Sequence, residues 1–218
     1  MIIVHHLDNS RSQRILWLLE ELELPYELVK YYRNPQTRLA PPELKGPHPL
    51  GKAPVIEDDG RIVAESGVII EYILHKYGRG RLAPPGGTPA YFDYLHWLHF
   101  AEGSAMLPLL LALYVGRLGE AGAPLHPRIT SEIANHLGYM NAALAGKDYL
   151  LGEFSAADIQ LSFVVEAAAA RGYLEAYPNL VAYQKRYRAR PAWDRAIARG
   201  GPFQLAPSPV PTPAPAAR

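Results

Sequence analysis

The apolar pattern alternates between strand and helix periods up to about residue 78 and is almost purely helical beyond it. That change limits the fold to an α/β unit followed by a helical one. Before it, strand-like and helix-like runs alternate. "MIIVHH" reads as a buried strand. From Arg11, Ile15, Leu18, Leu19 and Leu22 stand at i, i+3, i+4 and i+7, one stripe of a helix. "YELVKYY" from Tyr26 is a second strand, and "PPELKG" from Pro41 is at most a short helix. "PVIEDDGRIVAES" is a hairpin turning at Asp59–Gly60. Helical spacing returns with Ile69, Tyr72, Ile73 and Tyr77.

"GRGRLAPPGGTP" is rich in Gly and Pro and reads as a linker over residues 79–88. Beyond it the pattern is almost purely helical. One long segment runs from Pro89 to Arg117, and another carries Ile129, Ile133, Leu137, Met140 and Leu144 on one face. "AADIQLSFVVEAAAA" is apolar nearly all round, as a buried central helix must be. Ser155 and Asp158 ahead of it resemble a capping box, with Phe154 and Ile159 spaced for a hydrophobic staple. Two shorter helices follow Pro178 and Pro191. The expected domains are 1–78 (α/β), the linker 79–88, 89–200 (all-helical) and a Pro/Ala-rich tail, 201–218, expected to be disordered.

Composition excludes several classes. The 218 residues are 49% hydrophobic and 20% charged, enough for a sizeable core. A net charge of +1 gives no basic excess for nucleic acid. No unbroken run of about eighteen apolar residues predicts a membrane span, and the N-terminus lacks the pattern of a signal peptide; a cytoplasmic location is the expectation. Cysteine is absent, which excludes disulfides, thiolate metal sites and a cysteine nucleophile. Any thiol chemistry must use a ligand's thiol. His96, His99 and Glu102 share a helical face, but i and i+6 diverge and no HExxH is present, so no metal site is expected.

"NSRSQRILWLLEEL", "HPLGKAPVIEDDGRIVAES" and "SAADI", in this order and spacing, resemble a bacterial glutathione S-transferase of the serine-using type. The resemblance covers roughly residues 1 to 200. It implies a thioredoxin-like N-terminal domain, an all-helical C-terminal domain and a homodimer. It implies no permanently bound cofactor, with reduced glutathione as co-substrate and a small hydrophobic electrophile as partner. The activity implied is conjugation in detoxification, with reduction of organic hydroperoxides as a side activity.

The nucleophile of such a reaction is a thiolate, and a free thiol titrates at about 8.5. A hydroxyl aimed at the sulfur, helped by a helix N-terminus, can stabilise it. Ser10 matches the family's serine; Ser12 is the competitor, and Ser is also a preferred helix cap. Asn9 and Arg11 stand close by, and Arg14 reads as mainly a structural ion pair. Pro54 matches the family's cis-proline, after which Val55 would pair with the cysteinyl unit of glutathione through its backbone. Lys52, with His48 as a weaker candidate, would meet the glycyl carboxylate. Ser66 at a helix start would hold the γ-glutamyl carboxylate and Glu65 the ammonium. Gly67 stands where some relatives carry arginine.

For the electrophile, the resemblance implies a pocket lined by the first long helix, with Tyr94, Trp97, His99, Phe100 and Met106 as candidates and Glu102 reaching toward glutathione. Pro108 should kink this helix and free the carbonyl of Ser104. Core packing explains most of these aromatics equally well. Two other readings share the scaffold: a non-catalytic binding protein, and a glutathione-dependent isomerase or dehalogenase.

Overall fold

The computed structural model describes residues 1–205. The expectations for 206–218 lie outside the described residues. Two compact units emerge: Met1–Pro85 with Arg188–Phe203, and Gly86–Tyr187.

The first unit is a four-stranded sheet with helices. β1 (Ile2–Leu7) leads through α1 (Gln13–Leu22) to β2 (Tyr26–Tyr31), which pairs parallel to β1. This is the strand–helix–strand crossover that parallel pairing requires. A short 3-10 turn, Pro42–Lys45, precedes β3 (Val55–Asp58) and β4 (Arg61–Ala64), an antiparallel hairpin. Asp59 and Gly60 both take positive φ, as a two-residue hairpin turn demands. β3 also pairs antiparallel with β1, so the strand order is β2-β1-β3-β4. α2 (Ser66–Tyr77) follows. The chain order thus reproduces the sequence reading of this half, and the small mixed sheet is thioredoxin-like.

α1 departs from that reading. A single apolar stripe was expected, yet Gln13, Arg14, Leu16 and Trp17 are buried as well. The cause is α8 (Pro191–Gly200), which packs on α1 within this unit and covers a second face. Trp193 meets Trp17 edge-on, ring centroids 4.9 Å apart. Arg190 grips Glu21 with two bonds, at 2.6 and 2.9 Å. Phe203 lies against Trp193, 5.9 Å between centroids, so the start of the expected disordered tail carries a packing contact. The last helix, placed by chain order in the helical domain, belongs by packing to the α/β unit.

The second unit holds α3 (Pro89–Phe100), α4 (Met106–Val115), α5 (His126–Ala143), α6 (Ala156–Ala169) and α7 (Pro178–Arg188). α6 is buried along almost its whole length, as its apolar composition requires. Its N-terminus is closed by the Ser155–Asp158 capping box. The irregularity expected from Pro108 takes the form of a π-helical turn over Ala101–Ala105, in which the Met106 N–H bonds the Ala101 carbonyl. The helical stretch Pro89–Ala143 contains one window long and apolar enough, by length and composition, to cross a membrane. The π turn and the non-helical backbone at Gly119 interrupt that stretch.

Candidate active site

The site grows from the turn between β1 and α1. Asn9 takes φ 50°, a conformation asparagine tolerates, and reverses the chain at the end of β1. Arg33, just after β2, fixes this turn. Its backbone N–H bonds Asp8 Oδ1 at 2.6 Å, and its guanidinium donates to the carbonyls of Asp8 and Asn9 at 3.1 and 3.3 Å.

The two serines are then distinguished by environment. Ser12 is fully buried, and its Oγ lies 2.8 Å from His6 Nδ1 and 3.2 Å from both the N–H and the carbonyl of Leu7. Ser10 keeps 6% exposure; its Oγ lies 2.7 Å from Ser12 Oγ and 2.8 Å from the Leu7 carbonyl. Ser12 N–H donates to Ser10 Oγ at 3.2 Å. Neither hydroxyl simply caps α1: the N-cap residue Ser12 makes no side-chain cap bond. His6 Nε2 in turn meets the Gly200 carbonyl at 2.9 Å. Burial pushes the His6 imidazole below its ordinary value and Lys30 pushes the same way, while the Gly200 bond and Asp8 offset them only in part.

A second cluster forms where α2 begins. Ser66 is buried, and the buried Arg14 donates to its Oγ from Nη1 at 3.3 Å. Arg14, read as a structural ion-pair residue, thus places a guanidinium beside the first residue of α2. Glu65, at the N-cap, is exposed and takes φ 71°, ψ 119°, a conformation that an L-residue holds only at a cost. Its side chain does not cap the helix, so the carboxylate points elsewhere than the N-terminal amides.

The Ala53–Pro54 bond is cis. Val55 does not fit the role expected of it. It pairs with His5 on one side and Ala64 on the other, so both of its backbone flanks are strands. Ala53, ahead of the proline, lies outside every strand. Lys52 is exposed and His48 half-buried, with His48 Nδ1 accepting from Leu50 N–H at 3.4 Å.

In the second unit, Tyr94, Trp97 and Met106 are buried. Trp97 stacks on Tyr139 at 5.3 Å and meets Phe100 edge-on at 5.4 Å. Ring contacts inside the helical unit account for the burial of Trp97. His99 is exposed and Glu102 half-buried. His96 Nε2 is engaged by the Tyr139 hydroxyl at 2.9 Å.

Three residues of the site carried no role in the sequence reading: His6, Arg33 and Ala53. Only His6 had a legible signal. Ile2, Val4 and His6 share the buried phase of β1, which turns an imidazole inward.

The N-terminal-domain model of the glutathione S-transferases matches residues 10–76, and the C-terminal-domain model matches residues 123–186. The chain belongs to the glutathione S-transferase family. As an enzyme of this family it carries both of its characteristic domains. Glutathione S-transferase 3 of Schizosaccharomyces pombe is 37% identical over 209 residues, covering 88% of this chain and 85% of the relative. A glutathione S-transferase crystal structure from Actinobacillus pleuropneumoniae superposes with a TM-score of 0.86 at 34% identity, covering 94% of this chain and 95% of that one. A family member from Pseudomonas fluorescens, solved with two glutathione bound, reaches a TM-score of 0.75 at 26% identity, covering 90% and 92%. The α/β-then-helical order is therefore the transferase architecture.

Proposed function

We propose that this transferase is of the serine-using type, and that it binds reduced glutathione on the first unit and conjugates its thiolate to hydrophobic electrophiles. The observation that carries this reading is Ser10: a barely exposed hydroxyl at the head of α1, hydrogen-bonded into the protein on one side. Its neighbour Ser12 is fully enclosed and spends its oxygen on His6 and Leu7, which leaves Ser10 as the serine for a ligand thiol. Binding of glutathione by the Pseudomonas fluorescens relative supports the same substrate here.

The rest of the tripeptide has matching chemistry. Ser66 and the N-terminal end of α2, backed by the Arg14 guanidinium, suit the γ-glutamyl carboxylate. Glu65, exposed and free of a capping role, suits the ammonium. Ala53 takes over from Val55 as the residue whose backbone meets the cysteinyl unit. Lys52, with His48 behind it, suits the glycyl carboxylate. Each unit by which the site lowers the thiol pKa corresponds to about 1.4 kcal/mol. The same thiolate would attack the terminal oxygen of an organic hydroperoxide, breaking the O–O bond and releasing the alcohol, and a second glutathione would then convert the sulfenic acid to the disulfide and water. A cytoplasmic, detoxifying homodimer completes the proposal; for the dimer alone, the exposed Leu107, Leu111 and Tyr114 along α4 supply apolar surface.

The test follows thiolate absorbance of bound glutathione across pH, beside turnover of an aromatic electrophile. The intact chain is expected to form thiolate well below pH 8.5 or so, and Ser10→Ala to lose about 100-fold in turnover. Equal turnover would remove Ser10 from the chemistry, and absence of binding would remove glutathione.

A further inference from the structure

Resting on the reading of Ser10 just given, we propose that Ser10, Ser12 and His6 form a proton relay, in which His6 takes up the proton that glutathione's sulfur releases. The argument begins at the far end. A carbonyl only accepts, so the 2.9 Å contact with Gly200 places a hydrogen on His6 Nε2. In the neutral ring Nδ1 is then an acceptor, and the hydrogen in the 2.8 Å contact is that of Ser12. With Ser12's hydrogen committed, the 2.7 Å contact between the serines is filled by Ser10, whose hydrogen rests on Ser12 Oγ or on the Leu7 carbonyl. Ser10 Oγ receives the Ser12 N–H and turns a lone pair, not a hydrogen, away from the chain.

A lone pair greets an S–H but repels a thiolate. One concerted shift resolves the conflict. The S–H bond breaks and its electron pair stays on sulfur, while the proton bonds to Ser10 Oγ. Ser10's former hydrogen passes to Ser12 Oγ, and Ser12's to His6 Nδ1. Afterwards Ser10 donates to the thiolate, Ser12 to Ser10, Nδ1–H to Ser12, and Nε2–H still to Gly200. The three bonds from sulfur to Nδ1 survive with their direction reversed, the Gly200 bond keeps its own, and no further reactant is needed.

The surroundings suit a transient imidazolium joined to a thiolate. Burial disfavours the charged ring and so leaves Nδ1 as an acceptor. Asp8, at the end of β1, favours the charged ring, and Lys30 of β2 opposes it. The negative sulfur at the other end of the chain adds the missing attraction. The Gly200 carbonyl reaches the ring because residue 200 has no side chain. A Cβ there would strike Gln13 Oε1 and the Leu16 side chain.

The decisive experiment titrates reduced glutathione into the full chain by calorimetry in buffers of different ionisation heat, with thiolate absorbance read in parallel. S-methylglutathione, which has no thiol, corrects for protons exchanged elsewhere. The intact protein is expected to form thiolate while releasing far less than one proton to buffer. In His6→Asn the amide oxygen still accepts from Ser12 but takes up no proton. That variant should release one proton per thiolate and need a pH about one unit higher. Full proton release by the intact protein, or identical behaviour of His6→Asn, overturns the relay. If His6→Asn fails to fold, ring 15N shifts of the intact protein serve. Glutathione should bring Nδ1 into the protonated range, and an unchanged ring overturns the relay. Ser10→Ala separates the two readings: an unchanged thiolate pKa there refutes the Ser10 assignment itself. Loss of thiolate there, with full proton release by the intact protein, refutes only the relay.

Discussion

Asp158→Ala should be among the most damaging single substitutions in the helical unit. The carboxylate is fully buried and accepts four hydrogen bonds. Oδ2 takes the Ser155 N–H at 2.8 Å and the Ser155 hydroxyl at 3.1 Å; Oδ1 takes the Leu150 N–H at 3.1 Å and the Tyr183 hydroxyl at 2.9 Å. Alanine strands two backbone amides, while the Ser155 hydroxyl can turn and the Tyr183 hydroxyl keeps the Asp158 carbonyl at 3.5 Å. Each buried donor left without a partner costs about 1–3 kcal/mol, an upper sum of about 6 for the amides. Relief of the carboxylate's own desolvation, which pushes its pKa up, offsets part of that. A net loss of about 4 kcal/mol remains, within the range of broken buried networks. For a chain of this size that lowers Tm by about 8–16 °C in thermal unfolding followed by circular dichroism. Ser155→Ala keeps the Leu150 and Tyr183 bonds and should cost only about 1 kcal/mol. A fall of less than about 4 °C for Asp158→Ala would refute the assignment of this capping network as a main fastening of α6.

Glu21→Ala removes the paired bonds to Arg190 and the 2.8 Å bond from Trp17 Nε1, and should cost about 2–3 kcal/mol in urea unfolding. Glu21→Gln should recover about half of that. Gly200→Ala forces Gln13 and Leu16 aside and should cost about 1–3 kcal/mol in the same assay; it should also release His6 from its carbonyl, visible as a shifted ring resonance. Burial alone would raise the Asp58 pKa, but bonds from Lys76, Tyr77 and Tyr72 outweigh it and hold the carboxyl below its usual range. A depressed carboxyl stabilises above its unfolded pKa of about 3.9 and loses that effect as pH falls through the folded value. Asp58→Asn should therefore melt lower than the intact chain at pH 7, with the gap closing below about pH 3; a gap constant with pH would refute the ion network.

Local periodicity carried the sequence reading as far as contacts between near neighbours, and it stopped where the partner lies far along the chain. Ile15, Leu18, Leu19 and Leu22 announce one buried face of α1, because a helix stripe is a local property. Nothing local tells Trp17 that Trp193 will cover its other face. The hairpin at Asp59–Gly60 was legible because its turn chemistry sits within two residues, whereas the backbone role given to Val55 depended on which neighbours flank β3. Tyr94, Trp97 and Met106 are legible as large apolar positions of a helix, since a side chain in a pocket and one in a core share the same spacing. The site divides along the same line. Ser10 and Ser12 stand two residues apart and are chemically alike, so the sequence ranks Ser10 first only through the resemblance and the spacing to the helix. Their surroundings differ through His6, which lies 2.8 Å from Ser12 Oγ and is held by the Gly200 carbonyl, 194 residues away. The residue that distinguishes two neighbouring serines is thus oriented from the opposite end of the fold. A change in α8 can therefore alter the chemistry of the β1–α1 turn without touching either serine.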